Sequence, residues 1–214
     1  MRFAITTIST ILVGAASAAV AKYEAGTEVQ GFKLPEGLTD GFYVAYFDDA
    51  GNEVHEMVNV PISSGAMSGL PLSTSTIGND EGKLHARAAE LYCGCGFKMN
   101  TRDCDAAVED LKVQSDRCYA DKKKCNHLID RKMSWYSIRG SVVAFACNWF
   151  WEPVAMGRRD YLTDVMARIT KNCGLYVPGT YTSSEGGVPY YGYMNYRAGL
   201  DFCMDSDSSN RPRC

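Results

Sequence analysis

Nine cysteines, Cys93, Cys95, Cys104, Cys118, Cys125, Cys147, Cys173, Cys203 and Cys214, have the most chemistry to offer, and none precedes position 93. A thiol can attack, ligate or cross-link, and spacing and compartment decide which. Cys93-Gly-Cys95 with Cys104, or Cys118 and Cys125 with His127, would gather soft ligands. Neither the paired C-x-x-C nor the H-x-x-x-H of a zinc module is present. The motif of thiol–disulfide enzymes also needs two residues between its sulfurs, and here there is one. No metal and no cofactor is therefore expected, and Cys93, Cys95, Cys104, Cys118, Cys125, Cys147, Cys173 and Cys203 are expected in disulfides. An odd count leaves one sulfur over, and the pairing itself stays open. Cys214, behind the polar run Asp205-Ser-Asp-Ser-Ser-Asn-Arg-Pro-Arg, is expected to be that one: free, tucked back, or joined to a second chain in a disulfide-linked dimer.

Acid–base chemistry is less well served. His55, His85 and His127 lack a local nucleophile and orienting carboxylate, and no G-x-S-x-G occurs, so all three are expected to be solvent-exposed. Glu90, Asp103, Asp105, Glu109 and Asp110 could supply the carboxylate pair of a glycosidase. Acids in a first helical turn are explained equally by the helix dipole. Two other groups fit recognition. Lys122, Lys123 and Lys124, with Arg131-Lys132 and Arg158-Arg159 as lesser clusters, would draw the chain to an anionic surface such as lipid headgroups or acidic polysaccharide. Trp149 and Trp151, flanking Phe150, and Tyr191 and Tyr193, within the aromatic run 190–196, are candidates for a face that stacks on sugar or protein.

These side chains need elements to hold them. With 46% hydrophobic and 22% charged residues in 214, the chain can build a core, which excludes disorder of the whole. A net charge of -3 gives no basic excess for a phosphate backbone, so no nucleic-acid partner is expected. Residues 1–21 read as a secretory signal peptide: Arg2, a mostly apolar run through Ile11, Leu12 and Val13, then small-x-small residues at Ala19-Val-Ala21. That stretch is too short and polar for a membrane anchor, and no later run reaches the length of a transmembrane segment. The protein is expected to be secreted and extracellular, an oxidising setting that favours disulfides. No N-x-[ST] acceptor is present.

After the signal, residues 22–83 form a cysteine-free leader: a β-hairpin over 41–60, turning at Asp48-Asp-Ala-Gly-Asn52, then a Ser/Gly-rich linker over 63–79. It either docks on the rest or is a propeptide, and the sequence leaves both open. Residues 84–214 form the cysteine-rich domain. Asn100-Thr-Arg-Asp103 can cap a helix with Cys104, Ala107, Val108 and Leu111 on one stripe, and Leu162, Val165, Met166 and Ile169 repeat that spacing over 160–172, ended by Gly174. Between them, 136–148 reads as one strand or two. Leu175-Tyr-Val177 and the 190–196 run read as strands. The fold expected is α+β, an antiparallel sheet with two helices packed on one face, stabilised by disulfides that join helix to sheet.

The succession Cys93-Gly-Cys-Gly, Asn100-Thr-Arg-Asp-Cys-Asp, Trp135-Tyr-Ser-Ile-Arg-Gly-Ser-Val-Val-Ala-Phe-Ala-Cys-Asn148, Ile169-Thr-Lys-Asn-Cys-Gly174 and Tyr191-Gly-Tyr193 to Phe202-Cys203 resembles small secreted cysteine-rich proteins of filamentous fungi, many of them candidate effectors. The order of elements is similar to the α/β-sandwich of killer toxins. The likeness covers about residues 34–203 and is structural, so it implies no catalytic residue. What it implies is a virulence or toxin-like factor that binds a protein, glycan or lipid at a host or competitor cell surface and is not an enzyme. A secreted hydrolase of glycan or nucleic acid, and a self-associating cell-wall protein, are the alternatives.

Overall fold

The computed structural model describes residues 32–58, 89–120, 128–148, 152–183, 189–205 and 213–214. The signal peptide, the Ser/Gly-rich linker, Lys122 to Lys124, Cys125, Trp149, Trp151, His85 and His127 lie outside the described residues. In chain order the elements are β1 (Gly41–Phe47), β2 (Glu53–Met57), β3 (Ala89–Cys93), α1 (Thr101–Ala120), β4 (Leu128–Ile129), β5 (Met133–Arg139), β6 (Val142–Asn148), β7 (Val154–Ala155), α2 (Arg159–Cys173), β8 (Gly179–Ser183), β9 (Tyr190–Asn195) and α3 (Phe202–Asp205). The architecture is α+β, with every pairing in the main sheet antiparallel.

Within the capping stretch 100–103 it is Asn100 that starts α1, accepting the Asp103 N–H on its side-chain oxygen at 3.1 Å. Cys104, Ala107, Leu111 and Cys118 then fall on one buried stripe. In α2 that stripe is Leu162, Val165, Met166, Ile169 and Cys173. Gly174, at φ 101°, ends the helix and returns its N–H to the Thr170 carbonyl. The 136–148 run proves to be two strands. Arg139-Gly140-Ser141 turns between β5 and β6, and Asp103 of α1 takes both the N–H and the hydroxyl of Ser141 at 2.8 Å.

Seven strands pair in the order β2-β1-β5-β6-β9-β8-β3, and β4 pairs with β7 alongside. Chain-distant strands therefore sit side by side: β1, from the cysteine-free segment, hydrogen-bonds to β5 with Tyr43 opposite Tyr136. Every residue of β6 is buried because both faces of the sheet are covered. Val142, Ala144 and Ala146 enter a core shared with α1 and α2, while Val143, Phe145 and Cys147 enter a second core with Phe32, Leu34, Tyr136 and Phe202.

Three disulfides are placed: Cys93–Cys173 ties β3 to α2, Cys95–Cys214 ties the turn after β3 to the last residue, and Cys147–Cys203 ties β6 to α3. Cys118 is bonded as well. Two expectations are corrected here. Cys214 is not the odd sulfur and is engaged within the chain, because its N–H on the Asn172 carbonyl brings it back along α2 to Cys95. Among the described residues Cys104 is the free thiol: on α1 it lines the same cavity as Met166, Thr170 and Tyr193, none of which can bridge to it. A third correction concerns Leu175-Tyr-Val177, which forms a turn, with Tyr176 at φ 58° where a strand would need extended backbone. Among the described residues no helix is long and apolar enough to cross a membrane.

Candidate functional site

Where α1 and α2 lie against one another over β9, they leave an open groove of about 730 Å³, the size of a small-molecule site. Its base is mostly apolar, with Met166 from α2, Val108 from α1 and the ring of Tyr193 rising from the sheet, and the exposed Ala167 and Leu175 stand at its edge. Polar groups reach it singly. The Tyr193 hydroxyl shares a hydrogen bond with Thr170 at 2.9 Å, and the Tyr176 hydroxyl donates to Asp105 at 3.2 Å. Arg102, Asp105, Glu109 and Lys112 form the rim, and Glu109 is ion-paired to Arg159.

Cys104 also lines this groove. Burial, helped by the charge of Asp105, pushes the Cys104 thiol up to about 12, so it stays protonated and is a poor nucleophile at neutral pH. Burial likewise holds the Tyr193 hydroxyl neutral, at about 12, and lowers the ammonium of Lys112. Such a surface offers dispersion contacts, a few hydroxyl partners and a balanced charged edge.

A second constellation lies on the opposite face of the sheet. Glu53 accepts from His55 Nε2 at 2.7 Å and from the Lys33 N–H at 2.6 Å, and His55 Nδ1 meets the Tyr136 hydroxyl at 2.7 Å. With Nε2 donating to the carboxylate, Nδ1 is the acceptor and Tyr136 the donor, so a neutral imidazole satisfies all three groups. Carboxylate, imidazole and hydroxyl in line have the connectivity of a nucleophile relay. The His55 side chain and Tyr136 are fully enclosed and Glu53 is 3% exposed, with the Phe32 ring set edge-on to the imidazole. Burial also raises the Tyr136 pKa, which keeps its proton on the hydroxyl. The arrangement links β2 to β5 and to the Lys33 backbone inside the second core.

The residues singled out from sequence fare unevenly. Tyr191 and Tyr193 were expected on a contact face. Both are buried, because β9 runs inside the sheet between β6 and β8 and turns these alternate positions toward α2. Tyr191 accepts the Gly157 N–H at 2.8 Å, and only Tyr193 reaches the groove. His55, expected in solvent, is buried. The acidic residues are engaged one by one: Glu90 by Tyr92, Asp103 by Ser141, Asp105 by Tyr176, Glu109 by Arg159, and Asp110 by Ser137, Arg139 and Gln114. Trp149, Trp151 and Lys122 to Lys124 fall outside the described residues. Among the described residues no three His, Cys, Asp or Glu side chains gather to hold a metal.

Sequence reasoning missed the groove itself, since its walls are the exposed flanks of helices identified only by their buried stripes. It also missed Phe97 and Leu175, which are 65% and 61% exposed. A lone Phe or Leu in a loop carries no signal until the fold shows that nothing covers it. No protein-family model matches the chain, and no curated protein or solved structure is similar to it.

Proposed function

We propose that the chain is a secreted, disulfide-stabilised binding protein, effector-like or toxin-like, that acts at a host or competitor cell surface without catalysis and uses the groove between α1 and α2 as its ligand site. The observation that carries this reading is the groove: an open, largely apolar concavity whose Tyr193, Thr170 and Tyr176 hydroxyls are already hydrogen-bonded, on a frame braced by disulfides. Those bridges fit an oxidising, extracellular setting. Among the described residues the one histidine–carboxylate pair is enclosed on the far face, which favours binding over hydrolysis.

Ala167 provides the test, because it lines the groove from an exposed position on α2 and Ala167→Trp fills that space without entering the core. Labelled oxidised chain is offered to intact plant and yeast cells. Saturable binding by the wild type, weakened about tenfold or more in the filled variant, supports the reading. Equal binding by both removes the groove from it, and absence of saturable binding to either cell type removes the reading itself.

A further inference from the structure

The end of the molecule where α1 begins and α2 finishes is built from two turns locked together. Residues 94–100 and 174–178 exchange three hydrogen bonds, Gly94 N–H to Pro178, Lys98 Nζ to Leu175 and Met99 N–H to Tyr176, all onto carbonyls and all at 2.8–3.1 Å. Two disulfides, Cys93–Cys173 and Cys95–Cys214, cross the same end. This rigid platform presents the two most exposed large apolar side chains described, Phe97 on one turn and Leu175 on the other. Gly96, at φ 92°, makes the turn that lifts Phe97 outward.

Charge is distributed unevenly around them. Lys98, Arg102, Lys171 and Arg213 are all exposed at this end, although the whole chain carries a net charge of -3. Lys98 and Arg102 lead into α1, Lys171 sits in the last turn of α2, and Arg213 reaches Asn172 beside it. Two carboxylates of the first turns of α1 are held in hydrogen bonds, Asp103 by Ser141 and Asp105 by Tyr176. A ring of cations around projecting apolar side chains complements an interface with phosphate outside and hydrocarbon beneath.

We propose that this end docks on an anionic lipid bilayer, with Phe97 and Leu175 entering the boundary between headgroups and acyl chains while Lys98, Arg102, Lys171 and Arg213 meet the phosphates. The proposal rests on the reading of the chain as acting at a cell surface, and it names the lipid as the component first met. It also places the mouth of the groove, which Arg102, Leu175 and Tyr176 line, next to the membrane plane.

Sedimentation with vesicles tests it on the full oxidised chain, using phosphatidylcholine alone and phosphatidylcholine with a third phosphatidylserine. Binding is expected to the anionic vesicles, falling at least about tenfold in 0.5 M salt as the charges are screened. Phe97→Ser with Leu175→Ser, and separately Arg102→Glu with Lys171→Glu, each lower partitioning about tenfold or more. All four positions are exposed, so disulfide mapping and circular dichroism of the variants remain those of the wild type. Equal partitioning onto both vesicle types, no partitioning onto either, or unchanged binding by both double variants overturns the proposal. Cell binding that needs Phe97 and Leu175 while anionic vesicles are ignored identifies a protein or glycan receptor, which overturns the lipid assignment and leaves the surface-binding reading standing.

Discussion

At the scale of single residues, the buried Glu53–His55–Tyr136 array is where the chain carries most risk. Polar groups removed from water must be partnered, and each of these three depends on the next. Tyr136→Phe removes one hydroxyl and leaves Nδ1 of His55 as a buried acceptor without a donor, which costs about 1–3 kcal/mol. Glu53→Ala strands two donors at once, the imidazole N–H and the Lys33 N–H, and is expected to cost more than the tyrosine change. Urea unfolding followed by intrinsic fluorescence checks the order of the two midpoints. Equal losses would mean that the two donors stranded by the glutamate change cost no more than the single acceptor stranded by the tyrosine change. The array was illegible in sequence because its members are 2 and 81 positions apart in the chain and meet only when β1, bearing β2, pairs with β5.

At the scale of elements, the two main helices and the β character of 136–148 were legible, while its division into two strands and the place of each strand in the sheet were not. Cys104, Ala107 and Leu111 in α1, and Leu162, Val165, Met166 and Ile169 in α2, repeat at helical spacing because each helix buries one side only. β6 shows no alternation, since both of its faces are covered, so its sequence announces burial without saying against what. The contact between Asp103 and Ser141 is the element-scale link that fixes the β5–β6 turn to the start of α1. Ser141's N–H and hydroxyl hold the Asp103 carboxyl below the usual carboxylate range. A depressed value contributes stability that is present above the unfolded pKa, about 4, and is lost as pH falls through the folded value. The wild-type urea midpoint should therefore drop as pH is lowered below about 4, and Asp103→Asn, which keeps an acceptor oxygen but cannot titrate, should give a flatter profile there. Parallel profiles for the two proteins would show that the turn is not held by the charge.

Across the whole molecule, the disulfides divide the fold into a sealed interior and an accessible end. Cys147–Cys203 is wholly buried in the core beneath α3, and Cys93–Cys173 is almost as enclosed, whereas Cys214 is exposed and Cys95 half-buried. Exchange requires a thiolate to reach a sulfur, so access sets the order of reduction. Cys95–Cys214 spans 119 residues, but Cys93–Cys173 already closes most of that loop, and the outer bond constrains chiefly the chain after Cys173. No strand of the seven-stranded sheet depends on it. Limited reduction in native buffer, quenched by alkylation and read by peptide mapping, should therefore label Cys95 and Cys214 before Cys93, Cys173, Cys147 and Cys203, with the β-sheet circular dichroism retained. Cys104 serves as an internal reference: its protonated, buried thiol should stay unlabelled at pH 8 in the folded chain and react at once in denaturant without any reductant. Release of Cys147 and Cys203 together with Cys95 and Cys214 would show that the molecule opens as one unit. The Phe97 and Leu175 platform would then owe its rigidity to the global fold, with no separate contribution from the staple beside it.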